Sequence, residues 1–285
     1  MAFLATIGDV RITAVSEIEA VLPVGVLFPG ASATELAAID WLGEPFATAA
    51  GEIRLAIQAF VVETPRLRIL IDTCLGNDKH RASGFGHMLK TDFLERLAAA
   101  GYPRERIDVV LCTHLHTDHA GWNTMLVDGR WVPTFPHARY LFGRAEFEYW
   151  QQAQNGDDAA MFQDSIQPIV DAGLVDLVEV DHRIDTGIRL TPTHGHTPGH
   201  VSVVIEGLEA STQAFITGDA FHSPAQVARP GWGAFVDHDS QLSGATRVRL
   251  LDELGDSGVR VFGTHFPAPI CGTIVREGDG YRFLS

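Results

Sequence analysis

The sequence predicts an α/β fold, and three observations predict it. Short apolar runs rich in Val, Ile and Phe recur between turn residues, as strands do. Longer segments place apolar residues at the spacing of one helix face. The two kinds interleave along the whole chain, the pattern of stacked sheets covered by helices.

In chain order, strands are expected at Val10 to Val15, Ile53 to Glu63, Leu67 to Asp72 and Val109 to Cys112. Between the last two, Phe93, Leu94, Leu97 and Ala98 form one stripe. That stripe predicts a helix over Thr91 to Ala100, with Thr91 as N-cap and Gly101 just past its end. The second half predicts strands at Ala138 to Phe142, Leu174 to Val180, Ile188 to Thr191, Val201 to Ile205, Ala214 to Thr217 and Val259 to Phe262. Helices are expected over Arg144 to Gln154, Ala159 to Ala172 and Gly244 to Leu254. The segment Val21 to Gly51, interrupted by Pro23, Gly25, Pro29, Gly30, Gly43 and Pro45, reads as a lid or dimer arm.

At 285 residues and 46% hydrophobic, the chain can bury a large core. No Pro/Gly/Ser-rich linker or charge block divides it, so a single domain over 1–285 is expected. No apolar stretch approaches the roughly 18 residues of a membrane span. The N-terminus lacks a basic segment followed by a long apolar one, which points to the cytoplasm and away from a membrane. A net charge of −15 argues against nucleic acid, whose binding needs a basic face, and leaves a small molecule as the expected partner. Three cysteines, Cys74, Cys112 and Cys271, form no CxxC and no even set, so each is read as a buried apolar side chain.

The chemistry concentrates in THLHTDHAGW, residues 113–122, directly after the run Val109-Val110-Leu111-Cys112. In extended backbone, residues two apart point the same way, so His114 and His116 fall on one side. Asp118 and His119 follow at a turn and can face a second point. THGHTPGH (193–200), TGDA (217–220) and GTHF (263–266) each adjoin a predicted strand end, where loops bring distant residues together. Histidine and aspartate without cysteine suit zinc, iron or manganese.

HLHTDH, together with the later GHTPGH, GDA and GTH, resembles the HxHxDH signature and motif order of the metallo-β-lactamase-fold hydrolases. The resemblance covers nearly the whole chain and implies an αββα sandwich, two mixed β-sheets flanked by helices. It implies metal ligands His114, His116 and His196 at one site, Asp118, His119 and His265 at a second, and Asp219 bridging both. Two zinc ions (Zn2+) per chain follow from it, with iron or manganese admissible; no organic cofactor is implied. DTCLGNDK, HAGWN and GDAFHSPAQ resemble the branch near acyl-homoserine lactonases and methyl-parathion hydrolase. Lactonases of the well-studied kind carry a tyrosine shortly after the bridging aspartate, whereas this chain has Phe221 and His222, which counts against homoserine lactones as the natural substrate.

The implied activity is a dinuclear metal-dependent hydrolase in which a metal-bridging hydroxide attacks a lactone, ester or phosphotriester, with lactonase-like activity favoured. Asp118 would relay a proton to the leaving group, and His222 would bond the developing oxyanion. An iron-dependent or thiol-handling relative, such as a persulfide dioxygenase or glyoxalase-type thioester hydrolase, is the alternative. A homodimer is compatible with this reading. His194 and His200 are read as hydrogen-bond partners or turn residues, and Asp72 as orienting a ligand imidazole. His80, His87, His137, His182 and His238 default to structure or surface. Trp122, Trp131, Phe135, Trp150, Phe221 and Trp232 divide between the core and an apolar substrate pocket.

Overall fold

A computed structural model of the chain describes residues 3–153, 155–207 and 213–285. It forms two compact units, Met1–Ile18 with Ile57–His182, and Glu19–Ala56 with Arg183–Ser285. Each has its own apolar core. Among the described residues no helix is long and apolar enough to cross a membrane.

The first unit is built on β1 (Phe3–Ile7), β2 (Val10–Pro23, up to Ile18), β3 (Glu52–Glu63, from Ile57), β4 (Arg68–Ile71) and β5 (Val109–Leu111). A hairpin of β6 (Thr124–Val127) and β7 (Arg130–Pro133) follows, then β8 (Arg139–Gly143) and β9 (Val175–Val178). The main sheet runs β1-β2-β3-β4-β5-β8-β9 and is mixed. β3 and β4 pair antiparallel, whereas β4, β5, β8 and β9 are parallel. Parallel strands are covered on both faces and so read as continuous apolar runs, which is why Ile69-Leu70-Ile71 and Val110-Leu111 are buried throughout. Phe93 and Leu97, from the helix Phe93–Ala99, join Val110, Tyr140, Phe142, Phe147 and Ile166 in the core.

The second unit is built on β10 (Arg183–Asp185), β11 (Ile188–Pro192), β12 (Val201–Glu206), β13 (Gln213–Ile216), β14 (Arg260–Phe262), β15 (Cys271–Glu277) and β16 (Gly280–Leu284), adjacent in that order. All pairs are antiparallel except β13 and β14, which are parallel, with the helix Ser240–Leu254 between them in sequence. Leu250, Leu251 and Leu254 of that helix enter a core where Phe46, Phe266 and Phe283 meet edge to face.

Two mixed sheets with flanking helices constitute the predicted α/β class, but several boundaries differ. The helix expected from Thr91 begins at Phe93 with Asp92 at its cap position, because the Thr91 hydroxyl is bonded to Glu17 Oε1 at 2.8 Å instead. The helix expected from Gly244 begins at Ser240, where Asp239 accepts from the Leu242 N–H at 2.9 Å. The helix after β8 ends at Trp150, and its expected last residue, Gln154, lies outside the described residues. Ala159 to Ala172 is helical but interrupted by a π turn at Phe162–Ile166. The segment expected as a lid or dimer arm places Phe28, Leu36, Ile39, Leu42 and Phe46 in the core of the second unit. All three cysteines are free and buried, as the sequence led us to expect.

Candidate active site

In the first unit, β4 and β5 end in register at Ile71 and Leu111, so the residues that follow leave adjacent parallel strands side by side. Carboxyl ends of such strands are where open α/β sheets place their chemistry. Asp72 follows β4 and is fully buried in the left-handed region, φ 59°, which aspartate tolerates better than most residues. Its Oδ1 accepts from the Thr113 N–H at 2.7 Å, and its Oδ2 lies 2.9 Å from both Thr113 Oγ1 and His119 Nδ1. It orients His119.

The two-residue alternation holds beyond β5. His114 Nε2 and His116 Nδ1 converge at 3.0 Å, while Leu115 is buried in the core and its N–H donates to Glu146 Oε1 at 3.0 Å. His116 also packs its ring against Trp150, with centroids 5.2 Å apart. The chain then turns into the short helix Thr117–Ala120, where Asp118 Oδ2 lies 3.8 Å from His119 Nε2. Glu17, whose acidity burial weakens, accepts from Leu75 N–H and from Trp122 Nε1, both at 2.7 Å, holding the neighbouring loops.

The second unit uses the same device. β13 and β14 end in register at Ile216 and Phe262, and Asp219 and His265 each stand three residues further on. His265 Nε2 lies 3.1 Å from Asp219 Oδ1, and its Nδ1 is 2.9 Å from the Ala56 carbonyl. His196 Nε2 lies 3.3 Å from Asp219 Oδ2, and its Nδ1 is 2.9 Å from Asp237 Oδ1. Gly195 makes this loop feasible: it sits at φ +129° against the helix, where a Cβ would come within 2.2 Å of Ser243 N. His200 takes the supporting role expected of it, since its Nε2 accepts from the Asp219 N–H at 2.8 Å and its Nδ1 bonds Thr193 Oγ1 at 2.8 Å.

His222 stacks on His265 with ring centroids 5.7 Å apart, and its Nε2 lies 3.2 Å from Asp219 Oδ2. Both of its ring nitrogens are buried without a hydrogen bond. His194 stands apart from these groups, and burial lowers the pKa of its imidazole. His80, His87, His137 and His238 are exposed and His182 is half-buried. Trp122, Phe135, Trp150 and Phe221 are buried, whereas Trp131 and Trp232 are half-buried. Sequence reasoning missed Asp237. It sits in GAFVDHDS, a stretch with no motif spacing, and its carboxylate is fully buried with Arg247 NH1 3.8 Å away.

The donor set can be tested for a metal. His119, His196 and His265 have Nδ1 beside an oxygen acceptor, which fixes the proton there and leaves a lone pair on Nε2. A lone pair facing the Asp219 carboxylate at 3.1 to 3.3 Å is unfavourable unless a cation or an added proton lies between. Imidazole nitrogens and carboxylate oxygens without thiolate fit a borderline divalent cation such as zinc.

Residues 53–265 match the sequence profile of the "Metallo-beta-lactamase superfamily". The chain belongs to that superfamily. A protein described as "N-acyl homoserine lactonase" from a Bacillus species is 26% identical over 207 residues, 68% of this chain and 76% of that protein. A lactonase of the same description from Bacillus cereus is 26% identical over 209 residues, covering 69% and 76%. The solved structure of AidC, described as a dizinc quorum-quenching lactonase, superposes with a TM-score of 0.83 at 22% identity over 99% of this chain and 96% of that one. The hydrolase AbOPH gives 0.80 at 25% identity over the same shares. The fold is therefore the metallo-β-lactamase fold, as the signature implied.

Proposed function

We propose that this chain is a dinuclear metal-dependent hydrolase that opens an ester or lactone bond in a small molecule in the cytoplasm. One observation carries the reading: Asp219 has two ring nitrogens aimed at its carboxylate, each on an imidazole whose other nitrogen is already committed. In this proposal the chain acts as a single domain over 1–285. The metal ligands are the seven that the signature implied, His114, His116, Asp118, His119, His196, Asp219 and His265. The lactonase relatives support ester chemistry.

Two divalent ions held by these residues would supply an activated water and a Lewis acid for the carbonyl. Asp72, Asp237 and the Ala56 carbonyl hold the three imidazoles in the tautomer whose lone pair is on Nε2. Asp118, half-buried and joined to no strand, is the group able to carry a proton to a departing alkoxide. His222 would donate to the oxygen that gains charge.

The test is elemental analysis of protein purified without chelator, joined to a hydrolysis screen of lactones, aryl esters, phosphotriesters and β-lactams. About two zinc ions per chain and preferred turnover of lactones or aryl esters are expected. A reproducible value near one, or none, would overturn the dinuclear reading. Iron with thioester turnover would favour the thiol-handling alternative.

A further inference from the structure

The first unit buries three charged side chains that hydrolysis does not use. Lys79 and Arg81 have fully buried side chains, and both reach Asp164, on the π turn Phe162–Ile166. Arg81 grips the Asp164 carboxylate with two bonds, at 2.6 and 3.0 Å. Lys79 Nζ donates to the Asp164 backbone carbonyl at 3.1 Å and lies 3.4 Å from its Oδ1, with the Trp131 ring centroid 3.7 Å away. Burying two cations on one carboxylate is costly, and a hydrophobic cluster would commonly serve stability as well.

What the two cations do with their remaining donors is specific. Arg81 Nε donates to Thr117 Oγ1 at 2.8 Å, and Lys79 Nζ donates to Thr124 Oγ1 at 2.6 Å. Thr124 also donates to the Asp164 carbonyl. These two threonines bracket the segment that carries Asp118 and His119. A helix this short takes its orientation from outside contacts: the Thr73 N–H reaches the His119 carbonyl, and the Gly121 and Trp122 N–H groups reach the Cys74 and Thr73 carbonyls, each at 2.8 Å, while the two threonines anchor the ends of the segment to the buried cations. π turns recur at functional sites, and here one places a single carboxylate where it serves both cations.

We propose that Lys79, Arg81 and Asp164 are positioning residues, a buried clamp that holds segment 117–124 so that Asp118 and His119 are preset for metal. This role rests on reading Asp118 and His119 as ligands. Thr117→Val removes the Arg81 contact while leaving every charge in place, and Thr117→Ser keeps it.

The experiment measures zinc affinity by chelator competition, hydrogen exchange at the His119 and Ala120 amides in metal-free protein, and the melting temperature of that metal-free protein. Thr117→Val is expected to lose about 10-fold in zinc affinity and to exchange those amides about 10-fold faster, with Tm changed by under about 3 °C. Thr117→Ser is expected to restore both readouts. A Thr117→Val protein with wild-type zinc affinity and exchange overturns the clamp, as does one in which only Tm falls. Wild-type protein that takes up no zinc overturns the ligand reading itself, a separate outcome from the first two.

Discussion

Replacing Asp72 by asparagine exchanges one oxygen for an NH2 group in a fully buried site, and the structure says what that exchange does. The carboxylate accepts from Thr113 N–H at 2.7 Å, from Thr113 Oγ1 at 2.9 Å and from His119 Nδ1 at 2.9 Å. Asparagine can keep its oxygen on the Thr113 amide, which turns its NH2 group toward His119 Nδ1. That nitrogen must then accept, so the imidazole proton moves to Nε2, the atom needed for metal. Restoring the ligating tautomer sacrifices a bond to a charged group, about 1.5–3 kcal/mol. Zinc affinity should therefore fall about 10- to 100-fold, while the metal-free protein, whose packing is unchanged, should melt within a few degrees of wild type. Competition against a chromophoric chelator, with the absorption of the cobalt-substituted protein as a second probe, measures this. Wild-type affinity in a folded Asp72→Asn protein would refute the assignment of His119 as an Nε2 ligand held by Asp72.

His116→Ala should abolish activity and lower metal content and Tm together, since bound metal stabilises the native state by mass action, whereas exposed His137→Ala should change none of them. Retained metal in the first variant would show that His116 is not a ligand. His222→Phe should cut kcat by about 100-fold with both metals bound; unchanged kinetics, or loss of metal, would remove it from the oxyanion role. Burial lowers the Lys79 pKa to about 7, although Asp164 opposes the shift. Unfolded chains then bind the extra proton above pH 7, so stability should rise with pH. From pH 7 to 8.5 the rise is worth about 1 to 2 kcal/mol. Urea unfolding of Lys79→Met across that range should lack the rise, and an identical slope would place the Lys79 titration elsewhere.

Where the local signal and the tertiary role coincide, the sequence was legible. His114, Asp219 and His265 each stand three residues beyond a strand that pairs in parallel with a neighbour, and such strands announce themselves as apolar runs before a polar motif. The strands flanking the motifs were placed to within two residues for the same reason. The partners of the imidazoles were partly hidden. Asp72 could be read because it also ends an apolar run, but Asp237 lies 41 residues from His196 and the third partner is a backbone carbonyl, which no residue identity encodes. The Lys79–Asp164 contact spans 85 residues and depends on a π turn that no periodicity predicts. Thr91 misled because an N-cap residue and a tertiary donor look the same in sequence, and Glu17 claimed its hydroxyl. β15 and β16 went unread because the exposed face of a terminal hairpin carries Arg276, Glu277 and Arg282, which break up the apolar run.

The three thiols have a consequence for handling the protein. Cys74 and Cys112 are fully enclosed, with burial holding both well above the usual thiol range, and Cys271 is shifted the same way. Alkylating reagents and oxidants attack the thiolate, so native cysteines in this state should stay silent toward both. Because neither the fold nor the proposed ligand set contains a disulfide or a thiolate, the redox poise of the surroundings has no lever on either. A single cysteine introduced at an exposed position such as Ser83 would be the one reactive thiol in the folded chain, ready to carry a fluorophore or spin label without first deleting the native three.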